Sequence, residues 1–271
     1  MLPTIFSLPG FTLRSLDVML VIAWLFIGFV FWRRGKDEHY NLTHLFDGLF
    51  IATLMGVITA RLGFILFHVY EFGLKPLLWL NFAERPGLMP VFGALGFGGF
   101  LYWFSTKHKW DFFELMDFSA TALSLGLVVS WLGLFLDGTG FGFPTSMPWG
   151  MTFPTVVDKH HPTQLYQAIL FFVLFLYLSK VEFKYRTFNW YKGKRRSAQT
   201  GFLMSVFLIA YGLVELVISF VTPASSVLWG VRIDWMIDLL VTFSGLYLLY
   251  FRSGVRLSVE QLMGSNSKKV K

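Results

Sequence analysis

The chain has 271 residues, 55% of them hydrophobic and only 14% charged. A soluble domain averages roughly 25% charged residues, so this composition excludes a soluble globule and points to a polytopic membrane protein. Cysteine is absent, which excludes disulfides, thiolate metal sites and a cysteine nucleophile. The net charge of +7 does not call for nucleic acid as a partner, because the basic residues gather between apolar runs. The tendency of cytoplasmic loops to be rich in Lys and Arg accounts for that more simply.

A helical span needs about 20 mainly apolar residues. Runs at 16–33, 47–69, 90–105, 112–136, 163–180, 201–221 and 233–251 meet or approach that length. They predict an all-α, seven-helix transmembrane domain over 1–257 and a polar cytoplasmic tail over 258–271. No internal repeat is evident. The first run carries Arg33, Arg34 and Lys36 on its C-terminal side, the reverse of a cleavable signal peptide. The second holds Arg61 at membrane depth and His68 near its end.

Residues 70–89 form a mixed loop. The third run opens on Gly93, Gly96, Gly98 and Gly99, which read as close helix packing or as a backbone lining for a lipid headgroup. Lys107 and Lys109 follow it. Asp117 lies near the start of the fourth run, where a carboxylate favours the helix N-terminus. That run ends in Asp137-Gly138-Thr139-Gly140, a turn by composition.

A Gly- and Pro-rich loop over 137–162 leads into His160-His161-Pro162-Thr163-Gln164-Leu165-Tyr166-Gln167. Pro162 suits the first helical position, making His161 the N-cap. Gln164 can then reach back to the cap as in a capping box, and His161, Gln164 and Gln167 share one face. The fifth run ends in the densely basic stretch 180–196. The sixth carries Tyr211 and Glu215. The seventh carries Asp234 and Asp238 and is followed by Arg252, Arg256 and a basic tail. Basic and non-basic gaps alternate, which predicts an outside N-terminus and a cytoplasmic C-terminus.

Ionisable groups within spans cost about 2.5–3.5 kcal/mol near the membrane centre, so each is a functional candidate. Arg61 and Glu215 both lie about 9–13 Å in from the outer ends of their helices. Their matching depth predicts an Arg61–Glu215 ion pair. With Asp137, Asp234, Asp238, His160, His161 and Gln164 it would line a polar cavity in the outer leaflet.

Pro144 to Pro154, with Pro148-Trp149-Gly150 at its centre, followed by His161-Pro162-Thr163-Gln164-Leu165-Tyr166, resembles the signature region of the prolipoprotein diacylglyceryl transferase family. Ala60-Arg61-Leu62-Gly63, Asp117-Phe118, Gly133, Gly138 and Gly142, and Phe207-Leu208-Ile209-Ala210-Tyr211-Gly212 match further segments in the family's order. The resemblance covers nearly the whole chain. It implies transfer of the diacylglyceryl group of phosphatidylglycerol to the lipobox cysteine of a prolipoprotein, with release of glycerol phosphate.

The implied partners are phosphatidylglycerol or a related phospholipid, the prolipoprotein signal peptide and the bilayer of a bacterial cytoplasmic membrane. No metal or cofactor is implied. The chemistry needs a base for the thiol and cations for the leaving phosphate. On this resemblance Tyr211 and His161 are the candidate acid or base. Arg61 would contact phosphate and Gln164 would orient substrate, with Tyr166, Asp137 and Glu215 beside the lipid. The chain departs from the pattern at five positions. Phe92, Trp131, Leu134 and Glu215 stand where the family has His, Arg, Asn and Arg, and Gln167 stands for a Glu. A transferase, a catalytically silent lipid-binding relative and a transporter or channel all remain open on the residues alone.

Overall fold

The computed structural model describes residues 2–8, 11–73, 79–80, 85, 87–189, 200–224, 227–228 and 230–253. Strands β1 (Thr4–Leu8) and β2 (Phe11–Arg14) form an antiparallel hairpin that runs directly into helix α1 (Ser15–Asp37). Then come α2 (Leu42–Phe67), a single turn α3 (Val69–Phe72), α4 (Pro90–His108) and α5 (Phe112–Asp137). A short antiparallel pair, β3 (Met151–Thr152) with β4 (Lys159–His160), precedes α6 (Thr163–Asn189). Helix α7 (Phe202–Ser219), a second short pair β5 (Val227–Leu228) with β6 (Val231–Arg232), and α8 (Ile233–Ser253) complete it.

The architecture is thus mostly helical, as expected, but the all-α reading missed three hairpins. They give loop backbone groups hydrogen-bond partners where the chain leaves its helices. Among the described residues six helices are long and apolar enough to cross a membrane, and the chain is a multi-pass membrane protein. Helix α4, the remaining long helix, falls short of the same standard. It spans 19 residues and ends in the polar Ser105, Thr106, Lys107 and His108. The predicted tail over 258–271 lies outside the described residues.

Helix α5 is the centre of the bundle. It packs along α1 and α6 and touches α4 and α7, while α2 lies along α4 and α8 along α7. Its buried side chains are mostly small, among them Ala120, Thr121, Ala122, Ser124 and Gly126. Small side chains let helix backbones approach, which drives association where lipid is as apolar as leucine. A methyl group at Gly126 would lie 2.4 Å from Ile27, and one at Gly133 2.7 Å from Met19. The α2–α4 seam uses Gly93 and Gly96 in the same way, against Ala60 and Thr59. Gly98 and Gly99 meet nothing within 4 Å, so only half of the predicted glycine face packs.

Two apolar clusters fill the bundle. One joins Phe31, Leu45, Leu49, Leu115 and Phe118, and the other Phe171, Leu174, Leu178, Leu203 and Phe207. Large side chains such as Leu20, Val21, Leu25 and Phe29 remain exposed, as a lipid-facing surface requires.

Contacts between helix ends fix the antiparallel order and define two ends. At the basic end, Arg34 and Glu182 pair at 2.9 Å, and Thr121 Oγ1 donates to Glu182 at 3.3 Å. Asp117 was expected to favour its own helix N-terminus. It instead accepts from the backbone N–H groups of Gly201 and Met204, both at 2.8 Å, and so caps α7. Gly201 adopts φ 96°, a left-handed conformation that glycine reaches without steric cost and that turns its N–H to Asp117. Nearby, Tyr40 donates to Glu114. Burial, and then that carboxylate, push the Tyr40 phenol above its ordinary pKa.

Candidate functional site

The other end carries the hairpin β1–β2 and the polar groups singled out in the sequence. Three separate sets occupy it.

The first set joins the hairpin to α5. Arg14, at the end of β2, grips buried Asp137 with two nitrogens, Nε at 3.0 Å and a terminal nitrogen on the second oxygen. That hydrogen bond holds the Arg14 guanidinium above its ordinary pKa. Thr139 donates to the same carboxylate at 2.9 Å, and Gly138 caps α5 at φ 79°, confirming the turn. Arg14 was not among the predicted site residues. The signal was available: a lone arginine at the outer mouth of a span, on the side that carries few basic residues.

The second set is built on the start of α6. The helix begins at Thr163, one residue later than predicted. The Thr163 hydroxyl donates to the Gly140 carbonyl at 2.8 Å, and Gln164 Nε2 to the Thr139 carbonyl at 2.7 Å. The expected capping box does not form, because the Gln164 amide satisfies a carbonyl of the preceding loop rather than the cap of its own helix. Gln164 is completely buried and Gln167 is 2% exposed, and the carbonyl oxygen of each lacks a hydrogen-bond partner among the described residues. Gln167 Nε2 donates to Glu215 on α7 at 2.8 Å. Trp131 of α5 packs against the same core cluster, its Nε1 also without a partner.

His161 parts from the two glutamines, contrary to the shared face predicted for them. With Tyr166 it lines a groove of about 540 Å³ whose other walls include Trp149, Met151, Ile169 and Val217. His161 Nδ1 lies 3.3 Å from the Tyr166 hydroxyl. His160 is held by the Gly142 carbonyl at 2.7 Å. Tyr211 is not in the groove; its ring lies between Phe171 and Phe207, with centroids at 5.7 and 6.0 Å.

The third set surrounds Arg61 and corrects the predicted ion pair. Arg61 is buried, but its Nε donates to the Trp79 carbonyl at 2.8 Å. One terminal nitrogen donates to the carbonyls of Arg85 and Gly87 at 2.8 and 3.0 Å. The guanidinium also stacks 5.1 Å from the Phe72 ring. Glu215 takes Gln167 instead. The depths of Arg61 and Glu215 do match, but α2 packs on α4 while α7 packs on α8 and α5, so they lie on different flanks of the central helix. The single outer cavity predicted for both is therefore two separate environments. Phe92 fills the α2–α4 seam against Gly63, and Leu134 is half-buried with a carbonyl that accepts the N–H groups of Gly138 and Thr139. His68 is satisfied in place, its Nδ1 on the Phe64 carbonyl at 2.9 Å.

The arrangement offers a largely apolar groove with an imidazole and a phenol on its wall. Beside it lies a buried polar seam rich in acceptors. Comparisons with known proteins agree with that chemistry. Residues 3–251 match the family model described as prolipoprotein diacylglyceryl transferase. A phosphatidylglycerol–prolipoprotein diacylglyceryl transferase of Aeromonas salmonicida is 30% identical over 83% of this chain and 78% of its own length. That of Photobacterium profundum is 30% identical over 86% and 85%. That of Aliivibrio fischeri is 28% identical over 98% and 96%.

Proposed function

Since the chain belongs to the prolipoprotein diacylglyceryl transferase family, we propose that it transfers the diacylglyceryl group of phosphatidylglycerol to the cysteine thiol of a prolipoprotein. The observation that carries this reading is the apolar groove in which His161 and Tyr166 supply the polar wall. The acyl chains lie in the groove and the lipobox of the signal peptide enters beside His161. His161 takes the thiol proton, and the sulfur bonds to the glycerol carbon that carries the phosphate. The carbon–oxygen bond to phosphate breaks, and glycerol phosphate leaves with the electron pair. His161 is the preferred base over Tyr211, whose ring is packed among apolar neighbours.

Gln164, Asp137 and Glu215 then shape the lipid site from behind, Asp137 through Arg14. Seven helices cross the membrane, α4 included, with the hairpin end outside and the C-terminal tail in the cytoplasm of a bacterium. Clustering of Arg33, Arg34, Lys107 and Lys109 at one end supports that orientation.

One observation favours a second reading, a catalytically silent relative that binds phospholipid. Arg14, Arg61 and Arg232 at the hairpin end already bond a carboxylate, carbonyls, or both. Phe92, Trp131, Leu134 and Glu215, at positions where the family pattern carries polar or cationic groups, add no cation to stabilise the leaving phosphate. Transfer is accordingly slow. The experiment is release of glycerol phosphate from phosphatidylglycerol by the purified protein, with a lipobox peptide and the same peptide carrying serine for cysteine. Release only with the cysteine peptide is expected. Equal release with both, from protein that still retains phosphatidylglycerol, would select the silent relative.

A further inference from the structure

The polar seam between α6, α7 and α8 carries an excess of acceptors that neither the groove nor the transfer step uses. Gln164 and Gln167 are one helical turn apart on α6, and their buried carbonyl oxygens have no hydrogen-bond partner among the described residues. A buried acceptor without a donor destabilises the fold, so two side by side ask for a donor. Glu215 shares the seam through its bond to Gln167, and buried Asp238 of α8 lies within electrostatic reach of it. Gln167 and Glu215 both lie about 6 Å from the hairpin ends of their helices, the depth of lipid headgroups and the first carbons beneath them.

The charges around the seam do not cancel. Arg232 is the cation that acts on Asp238, but it donates to the carbonyls of Ser219 and Thr222 and contacts Asp234 at 3.4 Å. Arg232 is thus shared between Asp234 and Asp238, and among the described residues no cation acts on Glu215. Tyr211 and Trp131 are the neighbouring donors, with one proton each. Among the described residues no group of three or more His, Asp or Glu gathers to hold a metal ion.

We propose that the Gln164, Gln167 and Glu215 cluster is a binding site for a primary ammonium group, that of an aminophospholipid headgroup such as phosphatidylethanolamine. An ammonium carries three N–H donors on one positive charge. The two glutamine oxygens and the Glu215 carboxylate supply three acceptors and the opposite charge. A choline headgroup has the same charge and no N–H, so it cannot satisfy the glutamines. A glycerol headgroup on an anionic phosphate meets two carboxylates. The inference goes beyond the transfer reading and does not depend on turnover.

The test is competitive retention. The full-length protein is reconstituted in nanodiscs holding equal amounts of phosphatidylethanolamine, phosphatidylcholine and phosphatidylglycerol with the same acyl chains. The lipids that stay bound are then counted by native mass spectrometry. Phosphatidylethanolamine is expected over phosphatidylcholine by a factor of about ten, the lower end for a charge-assisted hydrogen bond. Glu215→Gln keeps the side chain's shape and should bring that ratio to about one, and Asp238→Asn should lower it by less because it acts at longer range. Equal retention of the ethanolamine and choline lipids by the unaltered protein would overturn the proposal without any variant. So would an unchanged ratio of ethanolamine to choline lipid in folded Glu215→Gln. Loss of the preference on adding potassium chloride to the unaltered protein, with potassium itself retained, would assign the seam to an inorganic cation and also overturn it.

Discussion

At the basic end of the bundle Asp117 accepts two backbone N–H groups, and Glu182 meets both an arginine and a threonine hydroxyl. At the hairpin end Gln164 and Gln167 each keep a buried carbonyl oxygen with no partner, and Trp131 keeps a buried N–H. On the basic half Ser179 Oγ and Glu182 Oε1 also make no hydrogen bond among the described residues, but a hydroxyl rotates freely and the Glu182 carboxylate meets Arg34 through its other oxygen. The two ends lie on the same helices, so the difference is one of purpose. Satisfied polar groups tie helices together, whereas unsatisfied ones at a buried site store a cost that a ligand can relieve. In the proposed account the basic end is the scaffold, and the hairpin end is assigned the binding and the chemistry.

The largest effect that would sharpen this contrast is at Arg34. Removing it in Arg34→Met takes away the cation that meets the buried Glu182 carboxylate, and a loss of about 3–5 kcal/mol is expected. The double change Arg34→Met, Glu182→Leu should lose less, since no charge is orphaned. Thermal unfolding in detergent reads both. Equal losses would mean that the pair does not tie α1 to α6.

A smaller effect is tied to pH at the same end. The phenol of Tyr40 keeps its proton in the folded state above its ordinary pKa, because of burial and of Glu114. The unfolded chain releases that proton near pH 10, so the folded state binds more protons above that point. Stability from this group is therefore complete below about pH 10 and falls by up to about 1.4 kcal/mol per unit as pH rises beyond it. Tyr40→Phe should flatten that decline between about pH 9 and 11. An identical decline in the variant would remove Tyr40 as its cause.

The smallest expected change is the one with the opposite character. Trp131→Phe deletes a buried N–H that bonds nothing, so stability should change by less than about 1 kcal/mol or rise slightly. A loss comparable to that at Arg34 would break the contrast, because it would make the hairpin end structural too.

Much of the scaffold was legible in the sequence. Long apolar runs and alternating basic gaps located the helices to within a few residues at most ends, since length and hydrophobicity decide insertion. The short hairpins were not legible, because two-residue strands have no periodicity to read. The site was legible in part. Gln164, Gln167, Asp137 and Glu215 are all buried or half-buried at one end, as polar residues inside apolar runs suggested. Their partners were not, because matching depth fixes a position along the membrane normal but not the side of the bundle. Arg61 and Glu215 match in depth and face different neighbours, and Arg14 entered the site through a hairpin that composition alone did not reveal.

The account rests on chemistry residing at the hairpin end, and peptide-dependent release of glycerol phosphate per folded molecule tests it most directly. The comparison is between His161→Asn, in the groove, and Asp117→Asn, in the scaffold. Loss of a general base lowers turnover by at least about a hundredfold, so His161→Asn should fall by that much with its fold intact. Asp117→Asn should reduce the amount of folded protein and leave the rate of what folds nearly unchanged. A full rate in His161→Asn, or an abolished rate in well-folded Asp117→Asn, would contradict the division between the two ends.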